Sequence, residues 1–300
     1  MKFLKHLLLY SLLLVGFQGQ AQTTLSGVTL TGVSINSSAV AYDADYQAWL
    51  DRLTTLGYTH PSAACNQILS DMVAGIKSDG NWTSLDRFWF FAHNGDSDGA
   101  TVDMVTPTNQ ATKVNSPGWT AKEGFNSNGT TSYVNSQFNL STAAHFLQNS
   151  ASMGVWIHTG GNAGISILGV RDTGSGDFNT LLFDTGGGNV GSRLNQNTTN
   201  NSFTGTTSFN NNSSYGVSRT ASNSGNQYVN GSSVSTFSTT SSTPANLNVY
   251  ILAQNSNNVA SSIGSSLWKL SVSWFGSGSV NQSEMHTRLN TAMTAIALLP

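Results

Sequence analysis

Asn94, Asp96 and Asp98 alternate within "FFAHNGDSDGATVDM" (residues 90–104) and are followed at once by Gly99, with Asp103 a little further on. Calcium takes several oxygen ligands, and D-x-[DN]-x-[DN]-G is how a calcium-binding loop begins. The bidentate glutamate that closes such a loop falls at Val105, and Asp103 comes two residues early. The segment therefore reads first as a turn between two kinds of structure, where Asp, Asn, Ser and Gly are the ordinary residues. A calcium site built from Asn94, Asp96, Asp98 and Asp103 is the second reading. No other cofactor is expected.

A second polar constellation is "RDTGSGD", which gives Arg171, Asp172 and Asp177, with Asn179 just beyond. Sugar recognition combines planar hydrogen-bonding groups with an aromatic face. Trp119 or Trp156 can supply that face, while the plainer reading is a solvated hairpin loop. Catalytic patterns are thinner. Glycoside hydrolysis normally uses two carboxyl groups, and the glutamates are Glu123 and Glu284, one before an early strand and one at the start of a terminal helix. The six histidines never fall at H-x-x-x-H spacing, so no zinc site is expected. His158 reads as structural or solvated. "DTGGGNVGS" lacks the lysine of a phosphate loop.

Lys2 and Lys5 precede "LLLYSLLLVGF" and then "QGQAQTT", the layout of a signal peptide over residues 1–22. The run is too short for a spanning helix and no later run is long and apolar enough, so the chain is expected to be secreted or held at the cell surface. Charged residues make up 9% of the chain and the formal charge is −2. Loss of Lys2 and Lys5 takes that charge to −4, leaving no electrostatic footprint for nucleic acid. The single Cys65 rules out an internal disulfide and reads as a buried, inert thiol on a helix.

Residues 23–41 form an extended leader. Residues 42–93 read as a helical lead-in. Asp43 caps a first helix carrying Tyr46, Trp49, Leu50, Leu53 and Leu56 at helical spacing and ending at Gly57. A second helix places Cys65, Ile68, Leu69, Met72, Val73 and Ile76 on one face. "TSLDRFWFFA" is read as a third, short helical piece starting from Thr83 or Ser84. Residues 94–280 carry short strands between turns, including the Asn230-Gly231 hairpin signal. In "SSLWKLSVSWFG", Trp268, Leu270, Val272 and Trp274 are placed on one face. Residues 195–214 read as a long polar loop or weakly paired edge. Residues 281–300 form a terminal helix, capped by Ser279 or Asn281 and packed on the sandwich. The fold class is mainly β: an antiparallel jelly-roll β-sandwich with a small N-terminal helical hairpin and a C-terminal helix.

Several stretches resemble a known family. "EGFNSNGTTSYVNSQFN" resembles an early strand pair of the concanavalin A-like lectin/glucanase superfamily, and "YVNGSSV" the Y-x-N-G hairpin of its laminin-G-like branch. The helical segment from "DYQAWLDRL" to "GATVDMV" is similar to lead-ins beside lectin-like domains in bacterial and phage tail-type proteins. The resemblance spans about residues 42–298 and implies a jelly-roll often concerned with glycans. The E-x-D-x-x-E motif of the glucanase branch is missing, so the expectation is an exported, non-catalytic, lectin-like module for neutral glycan or cell-surface polysaccharide. Alternatives are a structural or adhesive surface or phage-tail-type protein without a sugar pocket, and a diverged glycoside hydrolase. The sequence sets no oligomeric state.

Overall fold

The computed structural model describes residues 41–173, 178–186, 188–197 and 199–300. The expected signal peptide and nearly all of the expected leader lie outside the described residues, as does Asp177. Asp43 accepts from the amide of Asp45 (2.9 Å) and starts helix α1 (Ala44–Leu56). Gly57, at φ 73°, ends it in the left-handed region that glycine enters without steric cost. Ser62 caps α2 (Ala63–Ser78), and Asn281, rather than Ser279, caps α3 (Gln282–Ala297) through the amides of Ser283 and Glu284. The apolar stripes expected at helical spacing are the buried ones, Leu56 and Ile68 being only partly covered. Burial pushes the Cys65 thiol up to about 11, which keeps it un-ionised and unreactive.

Two sheets stack face to face. The first has eight strands among the described residues. Its main path runs β13 (Ser232–Phe237), β12 (Ser224–Val229), β11 (Ser213–Ala221), β6 (Ala151–Thr159), β17 (Lys269–Gly276), β4 (Gly124–Asn126) and β3 (Gly118–Thr120). β1 (Leu85–Phe90) pairs with β17 off that path. The second sheet runs β10 (Asn201–Ser202), β9 (Val190–Gln196), β8 (Phe178–Asp184), β7 (Ser166–Asp172), β14 (Asn248–Ile251), β5 (Tyr133–Asn139) and β2 (Thr112–Val114). β15 (Gln254–Ser256) and β16 (Val259–Ser261) join beside β7. Pairing is antiparallel except for the short β15–β7 contact. The expected jelly-roll-type sandwich is the architecture found.

One apolar cluster fills the space between the sheets, including Phe125, Met153, Val155, Ile157, Leu182, Leu194 and Trp268. A second lies outside the eight-stranded sheet, where α1, α2 and α3 cover Phe88, Phe90, Trp156, Val272 and Trp274. β6 is consequently buried on both sides, its odd residues facing the other sheet and Trp156 facing the helices. Gly154 makes room for Trp274, since a Cβ there would lie 2.0 Å from the indole.

Two sequence expectations are corrected. "TSLDRFWFFA" is not a helix: after one 3-10 turn at Trp82–Ser84 it becomes β1. A continuous apolar run has no period to distinguish helix from strand, and here Trp89 faces one core while Phe88 and Phe90 face the other. Nor do Trp268, Leu270, Val272 and Trp274 share a face. The register of β17 against β6 shifts between Leu270 and Val272, so the extra residue, Ser271, reverses the alternation. Trp268 and Leu270 enter the inter-sheet core, and Val272 and Trp274 pack under the helices. Of the two readings of the polar stretch 195–214, the weakly paired edge is the one found, the short edge strand β10 pairing with β9. The Asn230-Gly231 hairpin forms as expected, with φ 49° and 75° at its two central residues.

Candidate functional site

The helices leave one broad sheet surface to consider, the outer face of the nine-stranded sheet. Alternation along β8 puts Leu182 in the core and turns Leu181 and Phe183 outward. Phe183 lies across Gly191 of the neighbouring strand, where a Cβ would meet its ring at 2.7 Å. Glycine there lets the aromatic ring lie down against the sheet. The ring is half-buried, and the Arg193 guanidinium stands 6.0 Å from its centroid. Arg193 is oriented by Asn200, which accepts from Nε at 2.8 Å.

Around this pair a hollow of about 160 Å³ is lined by Arg171, Leu181, Phe183, Asp184, Arg193 and Gln254, among others. Asp184 is 2% exposed. Its Oδ1 accepts from the amide of Gly186 (2.6 Å), and its Oδ2 has no hydrogen-bond partner among the described residues. A buried carboxylate oxygen left unmatched costs free energy until a donor reaches it. Further along the same face Tyr133 and Tyr250 stack at 4.5 Å and 28°. Burial is the first cause, and Tyr133 the second, that pushes the Tyr250 hydroxyl up to about 12. Aromatic faces and guanidinium groups therefore share one sheet surface, whereas Asp184, opposite Val190 of the core, is buried beneath it.

The structure divides the sequence-predicted constellation. Arg171 sits in the hollow, with Asp172 next to it at the end of β7. Asn179 pairs opposite Arg171 and is buried. Trp119 belongs to the other sheet, donates from Nε1 to the carbonyl of Phe91 (2.8 Å) and is half-buried beside His93. Trp156 also belongs to the other sheet and is 1% exposed, with His286 stacked on it at 5.7 Å and 14°. Neither tryptophan offers a face to Arg171; that part of the expectation is corrected. Phe183 and Arg193 supply the aromatic and planar groups, and sequence reading missed both. The signal was faint: Phe183 ends the apolar run "LLF", and Gly191 reveals its role only once β8 and β9 are paired.

The opening motif is a seam. Asn94 exchanges hydrogen bonds with Ser62, accepting from its amide (2.9 Å) and donating to its hydroxyl (3.0 Å). Asp96 accepts from the amides of Gly99 (2.7 Å) and Thr59 (2.6 Å). Asp98 pairs with Lys113 at 2.8 Å. Asp103 is buried and accepts from the amides of Phe88 (2.9 Å) and Val105 (3.1 Å). Asn94 and Asp96 tie the helical hairpin to the sandwich, while Asp98 and Asp103 bind within the sandwich. Among the described residues, no three His, Cys, Asp or Glu side chains form a group suited to a metal. Residues 95–99 also spell G-x-S-x-G, but Ser97 is on no strand-to-helix elbow: it precedes a 3-10 turn and accepts from Lys113 Nζ (2.8 Å).

Fold and site together define an antiparallel β-sandwich capped by helices on one sheet and bearing a polar-aromatic surface on the other. No family model matches the chain, and no curated protein matches it. Among solved structures it is similar to Trypanosoma rangeli sialidase in complex with 2,3-difluorosialic acid, at 14% identity and TM-score 0.48, covering 75% of this chain and 39% of that one. It is similar also to the binding domain of botulinum neurotoxin serotype D, at 12% identity and TM-score 0.49, covering 70% and 52%. A third is domain 4 of a GH43 extracellular arabinanase from Geobacillus stearothermophilus in complex with arabinotriose, at 12% identity and TM-score 0.46, covering 68% and 98%. The chain spans about two-fifths of the sialidase and about half of the neurotoxin domain.

Proposed function

We propose that the chain is an exported, non-catalytic, lectin-like module of the concanavalin A-like kind, binding neutral glycan on the outer face of its nine-stranded sheet. The observation that carries this reading is Phe183, laid flat over Gly191 and flanked by Arg171 and Arg193. A sugar ring stacks its C–H face on the phenyl group, while its hydroxyls accept from the guanidinium groups. Export rests on the signal-peptide pattern of residues 1–22. The non-catalytic reading draws on the two glutamates. Glu123 is ion-paired with Lys269, and Glu284 accepts a long hydrogen bond (3.5 Å) from Asn81 at the start of α3.

Calorimetric titration with maltotriose, cellotriose, laminaritriose and arabinotriose tests the proposal. At least one is expected to bind, with affinity reduced at least tenfold by Phe183→Ala, a change at a half-buried surface ring. Defined oligomers without any sugar binding would support the structural or adhesive reading instead. Product release from polysaccharide, lost on changing one aspartate, would support the diverged hydrolase.

A further inference from the structure

A second hollow lies on the opposite side of the sandwich, where the C-terminal half of α3 passes over the end of β6 and the β3–β4 turn. It is a cleft of about 480 Å³, within the range of small-molecule sites. Its polar lining comes from Lys122, Glu123, His158, Asn212, Asn290 and Thr294, and its apolar wall from Met293 and Leu298. Leu298 is 83% exposed at the rim.

The turn that delivers Glu123 is held under strain. Lys122 has φ 68°, a left-handed conformation unusual for a side chain larger than glycine. Gly124 is pressed so closely on β17 that a Cβ would lie 2.0 Å from the carbonyl of Leu270. The hydroxyl of Ser271, the bulged residue of β17, donates to the carbonyl of Glu123 (2.8 Å). Strain held in place from several sides is characteristic of functional positions. Glu123 is in turn fixed by Lys269. On the floor lies Trp156, fully buried, whose Nε1 donor has no hydrogen-bond partner.

The lining thus offers a fixed carboxylate, an ammonium already donating to the carbonyls of Leu299 and Pro300, two amides, an imidazole and a hydroxyl, mixed with aliphatic surface. Donors and acceptors together suit a polyhydroxylated ring with an apolar C–H face better than a purely charged or purely apolar ligand. We infer that this cleft is a second saccharide site, taking a short stretch of neutral sugar. Glu123 accepts from its hydroxyls, and Met293 and Leu298 cover its C–H face. This deepens the glycan-binding reading and makes the chain bivalent. One site lies on the outer face of each sheet, so the two point in opposite directions and join two separate polysaccharide strands.

The test is calorimetric stoichiometry with whichever trisaccharide binds, using the full chain and two variants. Thr294→Trp places a ring in the cleft from an exposed position on α3, and Phe183→Ala removes the other platform. The inference expects two sugars per chain in the parent protein and one in each variant. It also expects the parent, but neither variant, to precipitate the matching polysaccharide. One sugar per chain, lost in Phe183→Ala and unaffected by Thr294→Trp, overturns the second site and leaves the sheet-face reading standing. One sugar lost only in Thr294→Trp does the reverse. Absence of binding, or binding that neither variant alters, overturns both. Circular dichroism and thermal melting confirm that each variant is folded.

Discussion

Replacing Asp103 by Asn should change how stability depends on pH, not merely how large it is. Asp103 is fully buried beside Phe88 and Val105, with Arg87 Nε 3.5 Å from its outer oxygen. Burial outweighs the two amides and the guanidinium and raises its pKa from 3.8 to about 7. Between those values the folded protein keeps a proton that the unfolded chain has released. Stability from this group is therefore complete below pH 3.8 and is lost as pH rises through 7. A displacement of about three pH units corresponds to about 4 kcal/mol as an upper figure.

His93 works in the other direction. It is buried against Trp49 and Trp119, and burial lowers its pKa from 6.5 to about 4. Stability held by its neutral ring is present above 6.5 and is lost as pH falls toward 4, by about 3 kcal/mol. In the parent protein the two slopes oppose each other across pH 4–6.5 and largely cancel. Asp103→Asn removes one of them. Urea unfolding at pH 4.5, 5.5, 6.5 and 7.5 should show the variant losing stability on acidification more steeply than the parent. The variant-minus-parent difference should grow in the variant's favour by a few kcal/mol from pH 4.5 to 7.5. A difference that is the same at every pH would refute the burial argument for Asp103.

Two further outcomes follow from packing. Gly154→Ala drives a methyl into Trp274 and should destabilise by about 1–3 kcal/mol, as overpacked cores do, measured by denaturant unfolding. Asn281→Ala removes the side chain that accepts from the amides of Ser283 and Glu284. It should cost about 1 kcal/mol, and hydrogen exchange should show the first turn of α3 losing protection before the strands do.

What the sequence made legible were features whose signal is local. Asp43, Gly57 and Asn281 mark helix ends because capping depends on one side chain or one backbone angle. Asn230-Gly231 marks its hairpin for the same reason. β1 was hidden because burial on both sides turns a strand into an unbroken apolar run, "FWFF", indistinguishable from a buried helical turn. The face reversal in β17 depends on one bulged residue, Ser271, whose consequence exists only in the pairing with β6. The site behaved similarly. Arg171 announced itself beside turn residues, whereas Phe183 is an apolar residue whose outward direction depends on Gly191 of another strand. Trp156 looked like a ligand platform because its strand alternates, and alternation cannot report that helices cover the second face.

The central claim is that sugar lies on the outer face of the nine-stranded sheet. Amide chemical-shift mapping of isotope-labelled protein titrated with a binding trisaccharide tests it most directly. The expected result is saturable shifts in β7, β8 and β9 around Arg171, Phe183, Asp184 and Arg193, abolished there in Phe183→Ala. Saturable binding with those strands unmoved would contradict it.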